Sequence, residues 1–253
     1  MPEGRTPVTF SPMRAAIARR MVQSKQQAPH FYVNAELDLE ALAAAAERLN
    51  AGRDPGAHVS LTAFLLKAVA LTLAEHRSFN AVWEGDSLQL VDAINIGVAI
   101  ALDDGLIAPA LLGCERLGVE ELAAALGDLA ARTRAGRLRA PELTEATFTL
   151  SNLGMFEVNQ FTAIVVPPQV AILATGRAEP RPVARDGAVV VRRVMTATLS
   201  SDHRAVDGAG AARFVGTLKG FVEDPDPWVP AGARGQGAAR DAGAAQPPAA
   251  GER

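Results

Sequence analysis

Cysteine occurs once in the 253 residues, at Cys114. That excludes an internal disulfide framework and any cysteine-rich metal site. An excess of positive charge is lacking too: the formal charge is −3 and the isoelectric point near 5.9, which argues against a nucleic-acid binder working by bulk charge. Met1–Phe10 holds Pro, Glu, Arg and Thr but no apolar core of a secretory signal. The longest apolar run, Ile94–Leu102, is far short of a membrane span. These absences lead to the expectation of a soluble, cytoplasmic protein with no membrane and no nucleic-acid partner.

What is present suits a packed domain, because 49% of the residues are hydrophobic and the charge is near balance. No internal repeat or long Pro- or Gly-rich linker divides the first 230 residues. The reading is a short N-terminal arm (1–10), one domain (11–230) and an Ala/Gly-rich tail (231–253). The tail contains no Ile, Leu, Val, Met or aromatic residue, so it is expected to be disordered.

Helical and extended patterns alternate along the domain. Ser11-Pro12 is a start signal, and Met13, Ile17 and Met21 recur at helical spacing until Pro29. His30–Leu37 reads as a strand with Phe31, Val33, Ala35 and Leu37 on one face. Asp38 and Ser60 are placed to cap two further helices. Asn95–Leu102 and Leu106–Leu112 flank a turn at Asp103-Asp104-Gly105. A helix over 119–133 follows, and its arginine-rich end complements the helix dipole. Strands over 147–151, 169–175 and 188–200 precede a helix over 208–223. The arginines from Arg177 to Arg193 read as an exposed hairpin. The pattern points to an α/β two-layer sandwich with a mixed sheet.

Four histidines are available. His30, His58 and His76 read as structural or surface residues. His203 stands at a strand-to-helix junction, four residues before Asp207 and Gly208. One reading makes Asp207 a helix cap and His203 an ordinary junction residue. The other makes His203 a general base, suited by an unperturbed pKa of about 6.5, with Asp207 holding local geometry through a charge partner. Ser151-Asn152, before Leu153-Gly154, is either a turn or a hydroxyl and an amide presented at a sheet edge. Cys114 reads as a buried, inert thiol.

The stretch Ser201-Asp202-His203-Arg204-Ala205-Val206-Asp207-Gly208-Ala209 resembles the DHRxxDGA signature of the dihydrolipoyl acyltransferase catalytic domain. That domain belongs to the 2-oxoacid dehydrogenase complexes and is related to chloramphenicol acetyltransferase. SPMRAAIARRMVQSKQQAPHFYVNAELDLEAL, DDGLIAPAL and FTLSNLGMFEVNQFTAIVVPPQVAILATGR agree in order, so the resemblance covers about residues 8–227.

The resemblance implies a chloramphenicol acetyltransferase-like fold and acyl transfer between a dihydrolipoyl thioester and coenzyme A, with no metal. It implies His203 as the base that deprotonates the attacking thiol and Ser151 as the oxyanion donor. Asp207 would be held by a salt bridge, with Arg19 or Arg20 as the expected partner. Asn152 and Gly176 would line the coenzyme A channel. The site would lie between subunits of a homotrimer.

Lipoyl and subunit-binding domains are not found in these residues, and none of Lys25, Lys67 and Lys219 follows an acidic residue. The lipoyl group is therefore expected in trans, from a lipoylated carrier domain, with components of a 2-oxoacid dehydrogenase complex as further partners. Two alternatives stand beside this reading. One is a coenzyme A-dependent acyltransferase for another small acceptor; the other is a non-catalytic core or accessory protein of such a complex.

Overall fold

The computed structural model describes residues 4, 6–102, 105–185 and 187–235. The chain opens with α1 (Pro12–Gln27), β1 (His30–Asp38), α2 (Glu40–Asn50) and α3 (Leu61–Glu75). Six short strands follow: β2 (Ala81–Glu84), β3 (Ser87–Leu90), β4 (Ile96–Val98), β5 (Ile100–Leu102), β6 (Gly105–Ile107) and β7 (Ala110–Leu111). Helices α4 (Val119–Arg134) and α5 (Ala140–Thr144) lead to β8 (Phe148–Asn152), β9 (Ala171–Thr175), β10 (Glu179–Arg185), β11 (Ala188–Asp202) and α6 (Gly208–Glu223).

Local chemistry explains most of these limits. Ser11 Oγ accepts from the Arg14 amide and Pro12 occupies the first helical turn, so α1 starts where the sequence predicts. It ends at Gln27, because the residue before Pro29 is pushed towards extended backbone. Asp38 Oδ1 accepts from the Glu40 amide and anchors α2. Asp207 Oδ1 accepts from the Gly210 amide, the N-cap bond of α6.

The main sheet runs β1-β11-β9-β8-β4-β7, with β10 paired to the outer part of β11. It is mixed: β9 and β4 flank β8 in parallel, and the remaining pairs along this order are antiparallel. Along β1, Phe31, Val33, Ala35 and Leu37 join the core under the helices, whereas Tyr32, Asn34 and Glu36 are exposed on the opposite face. Helices α2, α3 and α6 cover the first face. Phe214 of α6 meets Phe79 at 4.7 Å and Phe148 at 5.8 Å between ring centres. The architecture is the expected α/β two-layer sandwich with a mixed sheet.

Four expectations need correction. Each strand expected beside the Asp103-Asp104 turn is split in two. β4 stays in the main sheet, and the chain then leaves it to form the β5–β6 hairpin; Asp103 and Asp104 themselves lie outside the described residues. The β2–β3 hairpin and α5 were not anticipated. Apolar runs are not limited to Ile94–Leu102: Pro55–Glu75 is long and apolar enough to span a membrane by composition. Its helical body α3 is instead a core helix, with nine buried residues. The tail boundary also moves. Ala231–Ala233 forms a short turn, Ala233 is buried, its carbonyl accepts from Arg48 Nε, and the Gly235 amide donates to Asp226. The expected disorder of 236–253 lies outside the described residues.

Candidate active site

Ser151 sits near the end of β8, a strand paired on both sides. It is 8% exposed and lines a chamber of about 470 Å³ on the face of the sheet opposite the helical layer. The chamber walls are mostly apolar, with Ile17, Met21, Leu106, Ile164, Val166 and Ile172 among them; Arg14 and Arg20 supply positive charge. An apolar enclosure with few polar groups suits an acyl chain or a slender thiol arm.

Asn152 points elsewhere. Its Oδ1 accepts from the Gly154 amide and its Nδ2 donates to Thr62 Oγ1 at 3.2 Å, so the side chain ties the turn to α3. Gly176 is fixed by space: a Cβ there would stand 2.0 Å from the Asn159 carbonyl oxygen. Its amide donates to the Thr196 carbonyl, and the loop after β8 closes over it. Among the described residues, neither Asn152 nor Gly176 lines the chamber.

His203 is exposed on a braced turn. Its amide donates to the Pro29 carbonyl, and its ring rests on Phe31 with centroids 4.6 Å apart. The residue before it, Asp202, is 2% exposed and accepts from the Arg204 guanidinium, which in turn lies 4.8 Å over the Trp83 ring. This bond raises the Arg204 pKa. The signature's first aspartate and its arginine therefore hold each other, and the histidine between them is left free to project.

Among the described residues, Asp207 makes no salt bridge. Its carboxylate caps α6, and no ion pair among the described residues joins it to Arg19 or Arg20. Arg20 donates instead to the Pro167 carbonyl. Both Arg19 and Arg20 line a second, wider cleft of about 880 Å³ between α1 and the β2–β3 hairpin.

The sheet register separates the two principal candidates. Ser151 pairs with Ala174, Ala174 pairs with Thr198, and His203 lies five residues beyond Thr198. With strand spacings of about 4.8 Å and a rise of about 3.3 Å per residue, the two positions are about 19 Å apart. A base must come within about 3 Å of the proton it removes. Within one chain, Ser151 and His203 cannot serve the same carbonyl.

Other titratable groups have structural roles. His30 Nε2 accepts from the Val165 amide and Nδ1 donates to the Ala28 carbonyl, which uses both ring nitrogens in the neutral form. Burial lowers the His76 pKa, and its Nε2 meets Thr217 Oγ1 at 2.8 Å. Burial pushes the Cys114 thiol up to about 11, so it is no nucleophile at neutral pH. The arginines around the end of α4, read as dipole partners, include a clamp that the sequence did not reveal. Arg132 and Arg139 both bind Glu142, which is 1% exposed. No cluster of metal-ligating side chains occurs among the described residues.

Residues 2–229 match the family model for 2-oxoacid dehydrogenases acyltransferase (catalytic domain). The dihydrolipoyllysine-residue acetyltransferase component of pyruvate dehydrogenase complex from Zymomonas mobilis is 37% identical over 219 residues, covering 86% of this chain and 50% of its own length. The mitochondrial counterpart from Schizosaccharomyces pombe is 39% identical, with 85% and 45% coverage. The chain thus spans about half the length of the curated relatives it matches.

Among solved structures, the Azotobacter vinelandii dihydrolipoamide acetyltransferase superposes with a TM-score of 0.84 at 31% identity, covering 88% of this chain and 93% of that one. That structure was determined to examine a serine, a histidine and an asparagine in the catalytic mechanism. Those three are 52 and then four residues apart, the intervals that separate Ser151, His203 and Asp207. The cubic core of the pyruvate dehydrogenase multienzyme complex gives 0.80 at 30% identity, with 88% and 93% coverage. Chloramphenicol acetyltransferase, at 16% identity and a TM-score of 0.53, shares the fold.

Proposed function

The chain belongs to the family of 2-oxoacid dehydrogenase acyltransferase catalytic domains, and from that premise we propose that it moves an acyl group between a dihydrolipoyl thioester and coenzyme A. The observation that carries the reading is the triple interval Ser151–His203–Asp207, reproduced in a relative studied for those three positions.

His203 takes the proton of the incoming thiol, which at a pKa of about 8.5 is only a few per cent ionised at neutral pH. The thiolate sulfur attacks the thioester carbonyl carbon, and the carbonyl electron pair moves to oxygen. Ser151 Oγ donates to that oxyanion. On collapse the original carbon–sulfur bond breaks, and the proton held by His203 passes to the departing thiol. No acyl-enzyme forms, so Ser151 is a donor and not a nucleophile.

Asp207 acts by capping α6 and so fixing the backbone that follows His203. Asn152 and Gly176 shape the wall around the coenzyme A channel through the turn after β8. Because Ser151 and His203 are about 19 Å apart in one chain, each site is completed by a second copy, and a homotrimer is the assembly that supplies it. The lipoyl group is brought on a carrier domain. Lys25, Lys67 and Lys219 are each engaged in hydrogen bonds within the fold, to Tyr32, Glu115 and Glu36. Components of a 2-oxoacid dehydrogenase complex are the partners, in the cytoplasm, and no metal takes part.

The test is acyl transfer from a panel of acyl-coenzyme A thioesters to free dihydrolipoamide. Wild-type protein should transfer with one acyl group preferred. His203→Ala should lose transfer while keeping its oligomeric state; unchanged activity in that variant would end the mechanism.

A further inference from the structure

Gln169 lies in the wall between the two cavities. Together with Arg20 and Pro168 it borders both the chamber at Ser151 and the wide cleft beneath α1. Its backbone is pinned: the Gln169 amide donates to the Val166 carbonyl, the Trp83 amide donates to the Pro168 carbonyl, and Val82 bridges to Gln169. The residue is 6% exposed and Thr149 is 1% exposed.

Thr149 Oγ1 donates to Gln169 Oε1 at 2.6 Å. A threonine hydroxyl has one proton, and a carboxamide has one acceptor oxygen and two N–H donors. Spending the threonine proton on Oε1 fixes which way the amide faces, and leaves Nε2 without an acceptor among the described residues. That nitrogen is not among the fully buried atoms, so its N–H groups are open to the cavities that Gln169 borders.

Thr149 and Ser151 are two residues apart on β8 and share one face. The Thr149 hydroxyl that holds the amide is therefore about 7 Å from the Ser151 hydroxyl, one two-residue repeat along the strand. In a mostly apolar chamber, donor groups at Ser151 and Gln169 would fix both the reacting carbonyl and a second point on the same molecule.

We propose that Gln169 Nε2 is a substrate-binding donor, held in orientation by Thr149, that hydrogen-bonds a second carbonyl-type oxygen of the thioester substrate. This rests on the acyltransfer reading of the Ser151 site. The recognised oxygen has two sources: an amide carbonyl in the thiol arm of coenzyme A, or the distal carboxylate of a dicarboxylic acyl chain.

Four thioesters separate these sources. Acetyl-coenzyme A carries the amide alone, succinyl-coenzyme A carries both, S-ethyl succinyl thioester carries the carboxylate alone, and ethyl thioacetate carries neither. In Gln169→Leu, KM should rise about tenfold for the substrates bearing the recognised oxygen, the loss of one hydrogen bond. For ethyl thioacetate it should not change, and kcat should stay within about twofold throughout. Gln169→Glu keeps an acceptor for Thr149 but turns a carboxylate on the substrate oxygen, so its loss should be larger. Thr149→Val frees the amide and should give a smaller rise of the same pattern.

Calorimetric titration with acetyl- and succinyl-coenzyme A, without an acyl acceptor, reads the contact independently of turnover. An equal loss across all four thioesters, or unchanged binding in all three variants, overturns the proposal. Wild-type binding that weakens in the variants, with no turnover by any of them, supports the contact and counts against the proposed function alone.

Discussion

At the residue scale, chemistry falls to a few side chains that the fold leaves unspent. His203 projects from a turn whose other polar groups are engaged, and Ser151 opens into a mostly apolar chamber. Ser151→Ala should lower kcat about 10²–10³-fold, the usual effect of removing one oxyanion donor, with little change in KM or thermal stability. Gly176 is the steric counterpart. A methyl group there meets the Asn159 carbonyl at 2.0 Å, so Gly176→Ala should cost about 3 kcal/mol in chemical denaturation through overpacking.

Glu142 gives a pH signature. The Arg132 bond, with help from Arg139, holds its pKa at about 2 against an ordinary 4.5. A carboxylate lowered on folding stabilises the native state fully above its unfolded value. That contribution fades as pH falls from about 4.5 towards about 2. Glu142→Gln should lower stability at pH 7, since it leaves the partly buried Arg132 and the exposed Arg139 without their charge partner. Its stability should then be flatter than wild type across the acid range; a parallel curve would mean that the clamp does not titrate.

At the element scale, what could be read from sequence was local. The Ser11-Pro12 start, the Pro29 stop, the alternating face of β1 and the Asp207 start of α6 all follow from caps, proline and period, and the structure keeps each. The breaks at β4–β5 and β6–β7 were not legible, because they depend on which strands pair: β4 with β8 and β7, and β5 with β6. The clamp on Glu142 was missed for the same reason: Arg132 lies ten residues away on another helix. Gln169 looked like the first residue of a strand, and only the bond across from Thr149 shows what holds its side chain.

Asp207 shows how a cap joins fold to site. Asp207→Ala should cost about 1 kcal/mol through loss of the N-cap. Asp207→Asn should stay within a few tenths of wild type, since asparagine caps as well. If asparagine lost as much stability as alanine, charge and not capping would be the role of this carboxylate.

At the scale of the whole molecule, the sheet register is the decisive geometry. It places His203, the proposed base, and Ser151, the proposed oxyanion donor, about 19 Å apart in one chain, a distance no side-chain rotation closes. The motif in the sequence singles out Ser151 and His203, but only the three-strand count between them shows that one copy does not bring the two together.

Mixing two impaired proteins tests this most directly. Ser151→Ala and His203→Ala are each expected to keep no more than about 1% of dihydrolipoamide acyl transfer. Unfolded together in equal amounts and refolded, they should form mixed trimers in which about one interface in four unites an intact histidine with an intact serine. About a quarter of wild-type activity is expected from the mixture, and no more than about 1% when the two are refolded apart and combined afterwards. A co-refolded mixture that assembles normally and gains no activity would contradict a site shared between copies.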